Sequence, residues 1–227
     1  KGRKGFARIG RPAYPSSMFF KVRYGSFAAG IYRRLIDPLI VPLRRKITGV
    51  CLERGVKKVI DIASATGAQC RMLAEEGILA TGIDLSEVMI DSARRLGGPN
   101  VDYFCTSAYE LPFGDGSFDG SILSLALHEH GEEERGMMLA EARRVTAPGG
   151  IMIIADYTPP SHPGINPAWL AIRAIERIAG KGHHVGFVDF VARGGLDGLM
   201  ERYDLLPYER VDSHFATIGI ALFERPG

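Results

Sequence analysis

The sequence predicts an α/β fold: a doubly wound, mostly parallel sheet of seven strands, with N-terminal helices and a C-terminal antiparallel hairpin strand. Short apolar runs alternate with helical patterns through residues 59–155, which is the rhythm of parallel strands joined by crossover helices. The run 151–155 is wholly apolar, as a central parallel strand is. Hydrophobic residues make up 46% of the 227 residues, close to the usual share in globular domains.

Apolar runs without a helical stripe predict the first five strands, at 59–63, 78–83, 101–105, 118–125 and 151–155. Helical patterns predict the helices between them, at 68–76, 87–96 and 132–145. Ser86 is placed to cap the second of these helices. Pro148, Gly149 and Gly150 are expected to separate the third helix from the fifth strand.

The segments on either side of this alternation follow a different pattern. From Phe27 the apolar spacing is helical, and Pro38 and Pro42 predict two short helices or a kink. After residue 157 we expect a helix at 167–178 and one or two helices within 187–203. Two strands, 206–211 and 215–223, would form the closing hairpin at the edge of the sheet.

The charge of the chain is divided unevenly. Residues 1–46 carry a formal charge of +11, whereas the remainder carries −9. A basic arm of this kind is attracted to an anionic membrane surface, a nucleic acid or an acidic substrate. It can equally fold back on its own acidic domain, and the sequence leaves both interpretations open.

The cysteines and the apolar runs bear on location. Cys51, Cys70 and Cys105 are far apart and odd in number, which favours a reducing compartment over a disulfide framework. No apolar run approaches the roughly 18 residues of a membrane span. We therefore expect a cytoplasmic protein, with peripheral membrane contact through the basic segment as an option.

The loop after the first strand is the expected ligand site, because open α/β sheets bind ligands beyond the carboxyl ends of their strands. It reads Asp61-Ile62-Ala63-Ser64-Ala65-Thr66-Gly67. Small residues allow close backbone approach, and the following helix offers free N–H groups. The loop lacks the G-x-G-x-x-G pattern of dinucleotide binders, so an NAD-dependent oxidoreductase is disfavoured.

Asp84 closes the second strand, 23 residues after Asp61. One carboxylate there can accept hydrogen bonds from both ribose hydroxyls of an adenosine. The alternative, a helix-capping acid, is weakened because Ser86 already occupies the cap position.

Four ordered motifs over residues 27–157 resemble class I S-adenosylmethionine (SAM) methyltransferases, a Rossmann-like family. The motifs are Val59 to Gly67, Gly82 to Ser86, Leu111 to Asp119, and Glu141 to Gly150. The resemblance is strongest to the small-molecule group that includes ubiquinone and menaquinone C-methyltransferases.

This resemblance implies SAM as cofactor and a role for each matching position. Asp61, with Ala63, Ser64, Ala65, Thr66 and Gly67, would hold the methionine end, and Asp84 the ribose. Leu85 would pack on the adenine, and Ser107, Ala108 and Tyr109 would meet its edge. Tyr32 would close over the cofactor. The implied organisation is a basic arm (1–26), lid helices (27–55) and a SAM-binding domain (56–227), with an acceptor-pocket insertion at about 158–203.

Two departures from the family pattern concern glycines. The first two glycines of the family loop are Ala63 and Ala65 here. Alanine is tolerated at negative φ, but at positive φ it costs stability or ligand clearance. A catalytically inactive relative that binds or regulates is therefore the alternative to an enzyme.

The predicted general base is His128, in the sequence Leu127-His128-Glu129-His130 after the fourth strand. A histidine titrates near neutrality and can remove a proton from an acceptor. A polar surface loop and, less favoured, a His-x-His zinc site are the other interpretations; we expect no metal.

The predicted function is methyl transfer to a small or lipid-soluble acceptor. A nucleic-acid methyltransferase is disfavoured, since the fourth strand ends without the Asn/Asp-Pro-Pro-aromatic element of amino-methylating enzymes. The acceptor atom and the oligomeric state are not fixed by the sequence.

Overall fold

The computed structural model describes residues 34, 36–160, 166–178 and 181–227. The predicted arm 1–26 and Tyr32 lie outside these residues. The strands of the described part are β1 Lys58–Ile62, β2 Leu79–Asp84, β3 Val101–Cys105, β4 Phe118–Ser124, β5 Thr146–Tyr157, β6 Glu209–Ser213 and β7 Ile218–Glu224. After a single helical turn at Asp37–Leu39, its helices are α1 Val41–Glu53, α2 Ala68–Glu75, α3 Glu87–Leu96, α4 Glu132–Val145, α5 Pro167–Ile178, α6 Lys181–Ala192 and α7 Gly195–Arg202.

The strands form one sheet in the order β3-β2-β1-β4-β5-β7-β6. All neighbouring pairs from β3 to β5 are parallel, and β7 is antiparallel to both β5 and β6. The predicted doubly wound fold with a C-terminal antiparallel strand is thus confirmed. The strand order reverses between β1 and β4, which places the ligand-binding crevice beyond those two strands.

The core lies against the central strands. Ile60, Ile62, Ile122 and Ile154 have no measurable exposure. Burying each such side chain stabilises the fold by about 1.5–3 kcal/mol. The ends of β1 and β4 are therefore rigid supports for the loops that follow them.

Some boundaries differ from prediction. Strand β5 begins at Thr146, directly after α4, rather than after the Pro148-Gly149-Gly150 segment, because Thr146 pairs with Phe118 across an irregularity in the ladder. Strand β7 begins at Ile218 because His214, Phe215 and Ala216 all have positive φ and form a turn. Helix α6 begins at Lys181, ahead of the predicted start at 187.

In the described ranges, no helix combines the length and apolar character needed to cross a bilayer.

Candidate functional site

A cleft of about 590 Å³ opens at the carboxyl ends of β1, β2 and β4. Seven of the residues predicted for the cofactor line it: Ala63, Ala65, Asp84, Leu85, Ser107, Ala108 and Tyr109. The structure therefore brings together side chains from three separate loops of the sequence.

The loop after β1 has an unusual backbone. Ala63 has φ 63°, Ala65 has φ 47° and Gly67 has φ 71°. Left-handed conformations cost a residue with a Cβ roughly 1–2 kcal/mol relative to the right-handed region. The two alanines thus occupy the conformation that glycine adopts freely, and their Cβ atoms stand at the cleft surface.

Leu125, directly after β4, is a third strained residue on the cleft wall. Its φ is 52°, and its N–H donates to the carbonyl of Ala155 at 2.7 Å. Strain of this kind persists only where surrounding contacts enforce it, and it concentrates at functional sites.

Asp84 is the central carboxylate of the cleft. Its Oδ2 accepts from the N–H of Ala65 at 2.9 Å, and its Oδ1 accepts from the N–H of Ser86 at 2.8 Å. Burial raises the pKa of Asp84 to about 6; the two N–H donors act against that rise, and the charge of Glu129 adds to it. Each oxygen keeps one further lone pair.

Four of the predicted residues belong to the loop after β1, or to the strand before it, without reaching the cleft wall. Asp61, Ser64, Thr66 and Gly67 do not line the cleft. Asp61 is 4% exposed, and the Cys70 thiol lies 3.6 Å from its Oδ2. Burial raises the pKa of Asp61 to about 7, while the guanidinium of Arg44 opposes that shift.

Thr66 connects the loop to the N-terminal part of the chain. Its hydroxyl donates to Asp37 Oδ2 at 2.7 Å. Asp37 Oδ1 accepts from Arg44 at 2.6 Å, and the same guanidinium donates to the Asp37 carbonyl at 2.9 Å. The turn before α1 is therefore fixed directly to the candidate ligand loop.

Tyr103 is a supporting residue that sequence reasoning missed. Its hydroxyl donates to the carbonyl of Gly67 at 3.1 Å. A Cβ placed on Gly67 would lie 2.3 Å from this hydroxyl, and one on Gly82 would lie 2.8 Å from the Tyr103 ring. The absence of a side chain at both glycines leaves room for the tyrosine, whose hydrogen bond to Gly67 supports the loop.

His128 lies beneath the cleft rather than on its wall. It is 2% exposed, and its Nδ1 lies 2.8 Å from Asp156 Oδ1. Burial lowers the pKa of His128, but the charges of Asp156, Glu176 and Glu129 outweigh it and raise the pKa to about 9. A polar surface loop is thereby excluded. A general-base role stays a prediction, and the geometry disfavours it because the imidazole is shielded and protonated at neutral pH.

The cleft wall also contains residues that the sequence did not nominate. Glu129 and His130 follow His128 and face the cleft, and Tyr109 lies with its hydroxyl 2.9 Å from His130 Nδ1. Helix α6 adds Gly186 and Asp189 to the wall. Among the described residues, no group of three His, Cys, Asp or Glu side chains is arranged to hold a metal ion.

Comparison with known proteins agrees with this geometry. Residues 59–150 match the family described as "Methyltransferase domain". Over this segment the chain is therefore similar to methyltransferase domains. The matched segment runs from β1 into β5 and includes the loop after β1, Asp84 and His128.

The chain is also similar to two curated demethylmenaquinone methyltransferases. The one from Renibacterium salmoninarum is 34% identical over 111 residues, which is 49% of this chain and 44% of that protein. The one from Thermus thermophilus is 33% identical over 122 residues, covering 52% and 54%. The alignments thus span about half the length of these relatives.

The similarity to solved structures covers more of the chain than the family match does. An O-methyltransferase family protein from Burkholderia thailandensis superposes with a TM-score of 0.67 at 17% identity, covering 90% of this chain and 61% of that one. The 1,6-didemethyltoxoflavin-N1-methyltransferase of the same organism, solved with S-adenosylhomocysteine, gives 0.58 at 16% identity, covering 89% and 87%. At such identities the likeness concerns the fold.

Proposed function

We propose that this chain transfers a methyl group from SAM to a small or lipid-soluble acceptor. The observation that carries the proposal is the cleft at the ends of β1, β2 and β4, in which Asp84 stands beside the loop 63–67. The family match over the same residues supports it.

The residues of the cleft fit the cofactor. Asp84 keeps lone pairs for two ribose hydroxyls after accepting its two backbone N–H groups. Leu85 is 42% exposed at the cleft, an apolar surface suited to a purine ring. Ser107 and Ala108 would meet the purine edge, and the backbone of 63–67 the amino-acid end. When bound, SAM supplies an electrophilic methyl group.

The protein's share of the chemistry is positioning and exclusion of water. Methyl transfer from a sulfonium needs an in-line nucleophile, and alignment provides most of the acceleration. Leu125, Met138 and Val185 give the cleft apolar walls that exclude water from an acceptor. An acceptor that is already an anion needs no base before the methyl transfer, which agrees with the burial of His128.

A reduced quinone-type ring is the acceptor class we propose: the hydroquinone anion attacks the methyl group through a ring carbon, the methyl–sulfur bond breaks, and the proton of that ring carbon is then released to solvent. The names of the demethylmenaquinone methyltransferases support it, as do the apolar cleft walls. The basic segment 1–46 would favour contact with an anionic membrane that holds such an acceptor. Sedimentation with anionic vesicles at low and high salt tests the membrane contact, and failure to bind at low salt would contradict it.

The decisive experiment has two steps. Titration calorimetry with SAM and S-adenosylhomocysteine tests the cofactor, with Asp84→Asn expected to weaken binding and the exposed Asp91→Asn as matched control. Transfer of labelled methyl to a demethylated naphthohydroquinone, kept reduced with dithionite, is then compared with transfer to phenol and amine acceptors. No binding at millimolar ligand would reject the enzyme and favour the inactive alternative, which the positive φ of Ala63 and Ala65 supports.

A further inference from the structure

A buried polar cluster surrounds His128, which lies on the short turn Leu127–Glu129 next to the cleft. Asp156, at the end of β5, holds His128 twice: its Oδ1 lies 2.8 Å from the ring Nδ1, and its Oδ2 accepts the backbone N–H at 3.2 Å. Asp156 itself has no measurable exposure. The turn is therefore fastened to β5 through one carboxylate.

The other ring nitrogen faces helix α5. His128 Nε2 lies 3.6 Å from Glu176 Oε1, and the hydroxyl of Tyr157 donates to the same oxygen at 2.8 Å. Glu129, on the turn itself, has its Oε1 4.0 Å from Nε2. The imidazole thus lies among three carboxylates from three elements.

Aromatic side chains enclose this cluster. The ring of Tyr157 lies 4.6 Å from the imidazole, and those of Phe187 and Phe190 on α6 lie at 6.3 and 6.4 Å. Arg135, from α4, donates to the Leu127 carbonyl at 3.0 Å and is ion-paired to Asp189 at 2.9 Å. This enclosure keeps water out and strengthens the interaction between opposite charges.

We infer that His128 is a positioning residue for the proposed methyl transfer: as an imidazolium joining Asp156 to Glu176, it holds the turn against helix α5 and so fixes the part of the cleft wall that the turn and helix α6 form. Helix α5 supports α6 through Trp169, whose ring lies 6.0 Å from that of Phe187. Helix α6 in turn contributes Gly186 to the cleft, and the turn contributes Glu129. Loss of the imidazolium charge would therefore loosen the turn and helix α6 together.

The pKa of His128 sets the pH window of this lock. Burial lowers the pKa, but the charges of Asp156, Glu176 and Glu129 raise it overall, from 6.5 to about 9. Because the folded pKa lies above the unfolded one, the stabilising contribution is fully present below pH 6.5. It is lost as the pH rises through about 9.

Glu176→Gln tests the inference with little disturbance of shape, because its amide oxygen can still accept from Tyr157. The exposed Glu201→Gln is the matched control. Imidazole nitrogen NMR should show His128 titrating near pH 9 in the wild type and at a lower pH in Glu176→Gln. Hydrogen exchange in α5 and α6 at pH 7 should rise about tenfold in Glu176→Gln alone.

S-adenosylhomocysteine affinity separates this inference from the proposed function, and it should change less than twofold in Glu176→Gln. A wild type that fails to bind the ligand, yet gives the expected NMR and exchange results, would reject the proposed function and leave the lock intact. A wild-type His128 that titrates near 6.5, or α5 exchange that is unaffected by Glu176→Gln, would overturn the lock.

Discussion

The Asp84 carboxylate accepts the backbone N–H of Ala65 at 2.9 Å, so the loop after β1 is joined to the end of β2 at the wall of the cleft. The second oxygen accepts from the N–H of Ser86. One side chain thus fixes the loop after β1 and the start of α3, and remains able to accept from a ligand.

Asp84→Asn is expected to weaken binding of S-adenosylhomocysteine by about 10- to 100-fold. The amide has one acceptor oxygen, so its NH2 group must face one of the two backbone N–H donors. The amide also loses the charge that strengthens hydrogen bonds from the ligand hydroxyls, and one such charge-assisted bond contributes about 1.5–3 kcal/mol to binding. Titration calorimetry measures the loss. Unchanged affinity in Asp84→Asn would show that this carboxylate does not hold the ligand.

The affinity for S-adenosylhomocysteine should also depend on pH. The pKa of Asp84 is raised to about 6, so the carboxylate is ionised at pH 8 and protonated at pH 5. Since the ionised form accepts hydrogen bonds from ligand hydroxyls more strongly, affinity should fall as the pH drops through about 6. Asp84→Asn should flatten this profile. A profile that survives in the variant would point instead to Asp61, whose pKa is about 7.

Glycine in place of Ala63 and Ala65 is expected to tighten cofactor binding several-fold. Both alanines have positive φ and line the cleft, so Ala63→Gly and Ala65→Gly relieve strain and remove a methyl from the ligand's path. The free energy of unfolding should change by less than about 1 kcal/mol, because relief of strain is offset by the greater freedom of glycine in the unfolded chain.

Ala108→Gly is the control for this pair, because Ala108 lines the same cleft without a positive φ. It should lower stability and leave the affinity unimproved. Equal gains in affinity from all three substitutions would show that space alone, and not the strained loop, limits binding.

The sheet and the cleft could be predicted because both depend on patterns among residues that are close together in the sequence. The alternation of strands and helices led to the sheet, and the loop after β1 and Asp84 led to the cleft. The burial of His128 could not be inferred because Asp156 and Glu176, which enclose it, belong to later elements of the chain. Asp37 looked like one acid in a basic segment, and only the fold brings it to Thr66.

Asp37→Ala is expected to destabilise the protein by about 3 kcal/mol or more, since it leaves the buried guanidinium of Arg44 without its carboxylate. Thr66→Val removes only the bond between the hydroxyl and Asp37, so its cost should be about 1 kcal/mol. Urea denaturation gives both values. Similar losses in the two variants would mean that the Arg44 pair contributes little to the connection.

Tyr103 should determine how the loop tolerates substitution of its neighbouring glycines. At Gly82 the barrier to alanine is steric, because the new Cβ would lie 2.8 Å from the Tyr103 ring and 2.8 Å from Ser64 Oγ. At Gly67 the same clash is joined by a φ of 71°. A smaller residue at 103 should therefore relieve most of the Gly82→Ala penalty and only part of the Gly67→Ala penalty.

A double-mutant cycle with Tyr103→Ala measures this difference as a change in the free energy of unfolding. Gly149→Ala supplies the cost of positive φ by itself, because φ is 75° there and no neighbouring atom lies within 4 Å of the added Cβ. The penalty of Gly67→Ala remaining in the Tyr103→Ala background should match the Gly149→Ala value, about 1–2 kcal/mol. Full relief at position 67 would show that the left-handed backbone there adapts without cost, and that the tyrosine alone requires both glycines.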